Sequence, residues 1–173
     1  RQERILKVAD EIADKMGAER IGQCEKHDAG VSFYGVYYGQ AALPHAPERL
    51  FYLDNEVIRG LKVYNAEVSS DIPVYDLAAA AGRDPYEMFL GGARSIIRIT
   101  NPNAAKERRL IVFRDSFGSS IAPLLAAGYS EITLVDIRYI TPSALGRMID
   151  FAKADDALFL YSASVINNSE TIK

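Results

Sequence analysis

Ile5, Val8, Ala9, Ile12 and Met16 recur at the spacing of one helix face, with Lys7, Asp10, Glu11 and Asp14 opposite them. This predicts an amphipathic first helix, ended by Gly17. Residues 31–38 are rich in β-branched residues, aromatics and glycine and read as strand, and 39–47 as turn. Residues 50–53 and 61–65 are weaker strand candidates. Asp84-Pro85-Tyr86-Glu87 has the form of a helix start, with aspartate as cap, proline in the first turn and glutamate three residues on. Gly91-Gly92 stops that helix early, and residues 95–100 alternate as a strand.

The second half alternates more cleanly. Residues 110–113, 132–135 and 157–161 are short apolar strand candidates. Between them, residues 116–127 read as helix, and Thr141-Pro142 opens another that carries Leu145, Met148, Ile149 and Ala152 on one face. A β-α-β-α-β series predicts neighbouring parallel strands with right-handed crossovers. Three loops then gather at one sheet edge: 114–120, 136–141 and 162–168. The expectation is one α/β domain over residues 1–173, three-layered, with a mainly parallel sheet.

Composition narrows the function. Charged residues are 25% of the chain and the formal net charge is −3, with no basic block to attract nucleic acid. No apolar run is long enough to span a bilayer. Cys24 is the single cysteine, which removes internal disulfides and cysteine-type zinc sites. His27 and His45 stand in loop-like sequence, without metal-ligand spacing or a preceding aspartate at catalytic spacing. No cofactor is expected.

The segment R-L-I-V-F-R-D-S-F-G-S-S, residues 109–120, carries the strongest chemical signal. A serine at a strand-to-helix turn lies at the carboxyl edge of a parallel sheet, where α/β folds place ligands and nucleophiles. Ser116 is therefore the candidate nucleophile; plain helix capping by Ser116 and Asp115 is the competing reading. Arg114 and Arg138 end successive strands, suited either to an anionic or sugar ligand or to ion pairs with Asp115 and Asp136. Asn167 is a ligand contact or a loop cap. Tyr34, Tyr37 and Tyr38 form either a carbohydrate platform or half-buried sheet packing.

Five segments carry a family likeness: Y-G-V-Y-Y-G-Q-A-A-L-P, D-P-Y-E-M-F-L-G-G, S-I-I-R-I-T-N-P-N, L-I-V-F-R-D-S-F-G-S-S-I-A-P-L-L and E-I-T-L-V-D-I-R-Y-I. Over residues 31–168 the chain resembles the bacterial DHHW family, which is similar to SGNH hydrolases and to the acetyltransferase-like proteins of alginate O-acetylation. The resemblance implies an SGNH-like fold and Ser116 as nucleophile. It makes Gly91 and Gly92 the glycine block beside an oxyanion site. It further implies an acyl-transfer role, esterase or O-acetyltransferase, on carbohydrate or acylated polysaccharide in the envelope of a Gram-positive bacterium. The chain departs from the family pattern at Ala93, where relatives carry asparagine, and it lacks the Asp-His-His-Trp motif. The expectation is a C-terminal part of a longer protein, inert alone, with strand edges exposed enough to form a homodimer. The alternative is a non-catalytic carbohydrate-binding or structural envelope module.

Overall fold

The computed structural model describes residues 2–33 and 46–168. The tyrosine cluster at 34, 37 and 38, most of the turn-rich 39–47 stretch and His45 lie outside the described residues. Helix α1 (Gln2–Met16) forms as its apolar spacing demands and ends at Gly17, which adopts φ 61°. Ala9 and Ala13 are buried, but Val8 is 45% exposed. Strands β1 (Glu25–Phe33) and β2 (Glu48–Asp54) pair antiparallel as a separate two-stranded sheet. β1 starts earlier than the apolar pattern suggests. Several of its positions between residues 25 and 30 are exposed, so its sequence carries no apolar run.

Helix α2 (Glu56–Gly60) is capped by Asn55, whose Oδ1 accepts the Ile58 N–H. Strands β3 (Lys62–Asn65) and β4 (Ser70–Ile72) make a hairpin, followed by the short helix α3 (Leu77–Ala80). Asp84 caps as predicted, its Oδ1 accepting the Tyr86 N–H at 3.0 Å, but the helix it opens is one 3₁₀ turn (Pro85–Met88). Strands β5 (Ile96–Thr100) and β6 (Arg109–Arg114) come next. Helix α4 (Gly118–Ile121) then passes into a 3₁₀ segment (Ala122–Gly128). The predicted helix over 116–127 is thus broken: Pro123 has no N–H to donate back along an α-helix. After β7 (Glu131–Val135), helix α5 (Pro142–Met148) stops before Ile149, which is extended. Asp150 caps a further 3₁₀ turn (Phe151–Lys153), so Ile149 and Ala152 do not continue the α5 face. Strand β8 (Asp156–Leu160) and helix α6 (Ala163–Asn167) close the described chain.

The large sheet has six strands in the order β4-β3-β5-β7-β6-β8. β6 is parallel to both β7 and β8, as the β-α-β-α-β pattern predicts. The pairs β4–β3, β3–β5 and β5–β7 are antiparallel. The sheet is therefore mixed, which corrects the mainly parallel expectation. Short apolar strands look alike in either orientation, so the sequence does not distinguish them.

Leu110, Val112, Ile97, Ile99, Ile132 and Leu134 bury one face of this sheet beneath α1 and the 122–128 segment. Each such side chain, fully buried, contributes about 1.5–3 kcal/mol. A smaller cluster of Ile96, Ile111, Val135 and Leu145 packs on the other face. The carboxyl ends of β6, β7 and β8 share one edge. Because β5 runs the other way, residues 91–95 arrive at that same edge.

Candidate functional site

Arg114, the last residue of β6, is 0% exposed. Its Nη1 and Nη2 both reach Gly92 O at 3.5 Å, Nη1 also reaches Asp115 O at 3.4 Å, and Nη2 reaches Arg94 O at 3.3 Å. Nε has no partner. Burial pulls this guanidinium below the ordinary arginine value, opposed by the Asp136 and Asp115 carboxylates. Arg114 thus binds the 91–95 loop to its own turn through carbonyls, without a direct carboxylate partner among the described residues. The helix behind it must pack closely: a Cβ at Gly118 would stand 2.6 Å from Arg114 Cβ.

The turn itself is held by Asp115, which is 2% exposed. Oδ1 accepts the Phe117 N–H at 3.0 Å and Oδ2 accepts the Ser162 N–H at 2.7 Å. Asp115 therefore fixes the turn ahead of α4, whose N-cap position, Phe117, carries no side-chain cap bond. Ser119 Oγ donates to Gly92 O at 3.2 Å. Ser120 Oγ donates to Phe117 O at 3.1 Å and accepts from the Tyr86 hydroxyl at 2.6 Å. Among the described residues no hydrogen bond is made by the Ser116 hydroxyl or by the Ser116 N–H. Ser116 is half-buried, directly after the parallel strand and before α4.

The other predicted site residues divide. Leu90, Gly91 and Gly92 have φ of 53°, 69° and 80°, a left-handed run that carries the chain to the sheet edge. The Gly92 N–H donates to Phe89 O at 3.0 Å and its carbonyl faces Arg114 and Ser119, so this N–H is not free for an oxyanion. Arg138 takes the ion-pair reading: Nε and Nη2 grip the two oxygens of buried Asp136 at 2.9 and 2.7 Å. Asn167 ends α6 and is exposed. His27 lies in β1, stacked on Tyr52 at 5.2 Å, its Nε2 3.5 Å from Glu25. No group of His, Cys, Asp and Glu among the described residues has a metal-binding arrangement.

A cleft of about 370 Å³ opens beside the turn. Ile5 and Val8 of α1, Leu50 and Phe51 of β2, and Asp115 and Phe117 on either side of Ser116 line it. Successive ring contacts run from His27 through Tyr52, Tyr75, Phe89 and Tyr86 to Phe117. The sequence reading does not anticipate Tyr86 or Phe117. Tyr86 follows the Asp84 cap and Phe117 follows Ser116, but their meeting joins segments that are remote in sequence.

The fold is a mixed α/β sheet with Ser116 on the turn after β6, the strand next to the β8 edge. The chain belongs to the DHHW family, whose model, described as DHHW protein, matches residues 14–135. In structure it is similar to a DHHW family protein from Eubacterium siraeum, with TM-score 0.69 and 18% identity over 99% of this chain and 59% of that one. It is similar to Bacillus cereus PatB1 with a sulfonyl adduct, with TM-score 0.69 and 20% identity over 95% of this chain and 58% of that one. A further PatB1 structure gives TM-score 0.64 and 18% identity over 93% of this chain and 57% of that one. The chain thus spans less than two thirds of the length of these relatives, and the likeness is one of fold. No curated protein matches the chain in sequence at a significant level.

No helix among the described residues is long and apolar enough to cross a membrane.

Proposed function

We propose that this chain carries the nucleophile-bearing part of an SGNH-like acyl-transfer site, an esterase or O-acetyltransferase acting on cell-envelope carbohydrate, with Ser116 as nucleophile. The observation that carries the reading is the contrast among the serines of one segment. Ser119 and Ser120 are occupied in hydrogen bonds, whereas Ser116 keeps both its hydroxyl and its N–H free beside a cleft. The sulfonyl adduct in a PatB1 structure of similar fold supports it, since such an adduct records a nucleophile bonded to sulfur.

In the reaction, Ser116 Oγ attacks the ester carbonyl of the donor. An Oγ–C bond forms, the C–O bond to the leaving alcohol breaks, and the hydroxyl proton passes through a base to that alcohol. Water or an acceptor hydroxyl then takes the acyl group and returns the proton to serine. In this reading the Ser116 N–H donates to the developing oxyanion.

The base comes from outside the described residues. His27 is held between Glu25 and Tyr52, and beyond Tyr52 the rings of Tyr75, Phe89 and Tyr86 separate it from Phe117. The histidines of the family motif stand ahead of a helix like α1, whose Arg4 and Ile5 line the cleft. An envelope location and a homodimer belong to the same proposal.

The second reading, a binding module without catalysis, is favoured by the lack, among the described residues, of an imidazole beside Ser116. Treating the longer parent protein with a sulfonyl fluoride and mapping the adduct by mass spectrometry separates the two. A Ser116 adduct, absent in Ser116→Ala, is the expected result. An unmodified Ser116 in a folded parent protein gives the lead to the binding module.

A further inference from the structure

We propose that Arg114 is the positioning residue of the Ser116 site, its buried guanidinium setting the orientation of the Asp115–Ser116 and Gly92–Ala93 peptides. This rests on the acyl-transfer reading and adds a residue to it. A trans peptide is a rigid plane, so its N–H points away from its own carbonyl. Nη1 holds Asp115 O at 3.4 Å, which turns the Ser116 N–H away from the guanidinium. Nη1 and Nη2 hold Gly92 O at 3.5 Å, and Ser119 Oγ donates to the same oxygen at 3.2 Å. The Ala93 N–H is thereby turned away as well. Neither N–H makes a hydrogen bond among the described residues. Nη2 adds Arg94 O at 3.3 Å, so carbonyls of both segments meet on one cation.

Stability alone does not account for this cation. Arg108 and Arg138 meet carboxylates at 2.6 and 2.7 Å, the arrangement that favours a folded ion pair. Arg114 is 0% exposed, and its contacts of 3.3–3.5 Å are longer than the usual value of about 2.9 Å. Its Nε has no partner among the described residues. Burying a charge with such weak compensation is costly, and an apolar side chain of similar volume would pack the same space at lower cost. A rule broken in this way beside a candidate nucleophile reads as function. Arg114 lies two residues before Ser116, and a buried cation there also acts on developing negative charge without screening by water.

The test uses the longer parent protein and nitrophenyl acetate. Arg114→Met keeps the volume and removes the donors. Its kcat is expected to fall on the order of a hundredfold, the scale of a lost oxyanion donor, with KM within about twofold of the wild-type value. Arg114→Lys keeps the charge, but its ammonium ends a bond short of the Nη atoms, so kcat should fall here too. Arg108→Ala, a structural loss just ahead of β6 at the opposite sheet edge, should leave kcat unchanged. Thermal unfolding establishes that each variant is folded. A wild-type kcat in Arg114→Met overturns the inference. Should that variant fail to fold, a wild-type kcat in Arg114→Lys overturns it instead. A loss confined to KM, or an equal loss of kcat in Arg108→Ala, also overturns it, because a structural role then suffices. Each of these results, with turnover that Ser116→Ala abolishes, sinks this inference alone. Turnover that Ser116→Ala leaves intact overturns the acyl-transfer reading and the positioning role together.

Discussion

Asp115 and Ser162 are 47 residues apart, and the Oδ2 of the first accepts the N–H of the second at 2.7 Å. That bond joins the Ser116 turn to the end of β8, two loops of the same sheet edge. With Oδ1 on the Phe117 N–H, one carboxylate fixes the turn on both sides of the serine. Asp115→Ala is expected to lower the unfolding free energy by about 3 kcal/mol, because two N–H groups lose a charged acceptor. Asp115→Asn should recover part of this through its amide oxygen. Urea denaturation of the three proteins measures both steps.

The chain alone should show no serine-dependent turnover of activated esters. Ser116 has a free hydroxyl, but no imidazole among the described residues stands next to it to take its proton. Nitrophenyl ester hydrolysis is expected to proceed at the same rate in the chain and in Ser116→Ala. A clear loss of turnover in the variant would show that a base within the chain serves Ser116.

Gly118→Ala should destabilise by about 1–3 kcal/mol through overpacking. The added Cβ would meet Arg114 Cβ at 2.6 Å and Cγ at 2.9 Å, and both belong to a fully buried side chain with little room to move. A double-mutant cycle with Arg114→Ala should show coupling, since removing the long side chain relieves the clash. Thermal unfolding of the four proteins is the measurement.

Arg108 clasps α1 to the sheet. Its Nη2 donates to Met16 O at 2.6 Å and Nη1 to Gly17 O at 3.0 Å, while Nη2 pairs with Asp156 at 2.6 Å. The Tyr129 hydroxyl donates to the same carboxylate at 3.0 Å. Arg108→Ala is expected to cost about 2 kcal/mol and to leave the last α1 carbonyls without these donors. Hydrogen exchange should accelerate first in the final turn of α1.

Burial pushes the Cys24 thiol above its ordinary value, and the charges of Asp54 and Asp10 add to the shift. The sign follows from linkage. The folded state holds the thiol proton more tightly than the unfolded chain, so this stabilisation is present below the unfolded value of about 8.5 and is lost as pH rises through the folded one. Alkylation by iodoacetamide should be slower than for free cysteine near that pH and still rising above it. A rate profile with a midpoint at or below the free value would contradict this.

How much was legible in the sequence follows from what each element touches. The strands β6 and β7 and the position of Ser116 were readable because buried strands are continuous apolar runs and the turn between strand and helix is short; β8, an edge strand without a buried residue, was readable because residues 157–160 are apolar all the same. The polar early part of β1 escaped because exposure in a two-stranded sheet leaves no apolar pattern. The orientation of β3, β4 and β5 escaped because strand direction leaves no periodic signature. At the site, the nucleophile candidate was local and visible. The Asp115–Ser162 bond, the burial of Arg114 among carbonyls and the Tyr86–Ser120 bond depend on partners twenty or more residues away. Arg138 resolved to an ion pair with Asp136 only two residues before it, a contact that spacing allowed but did not select.

The antiparallel entry of β5 also settles where the molecule tolerates additions. Thr100 pairs with Glu131, and Arg109 pairs with Glu131 from the other side, so the connection between β5 and β6 lies at the edge opposite the Ser116 turn. Residues 102, 103 and 105–107 in that connection are exposed. Foreign sequence or a fluorophore placed there stays a full strand length from the cleft. Tethering the protein to a sensor surface through Lys106 would leave the cleft facing solution, the orientation a ligand screen requires.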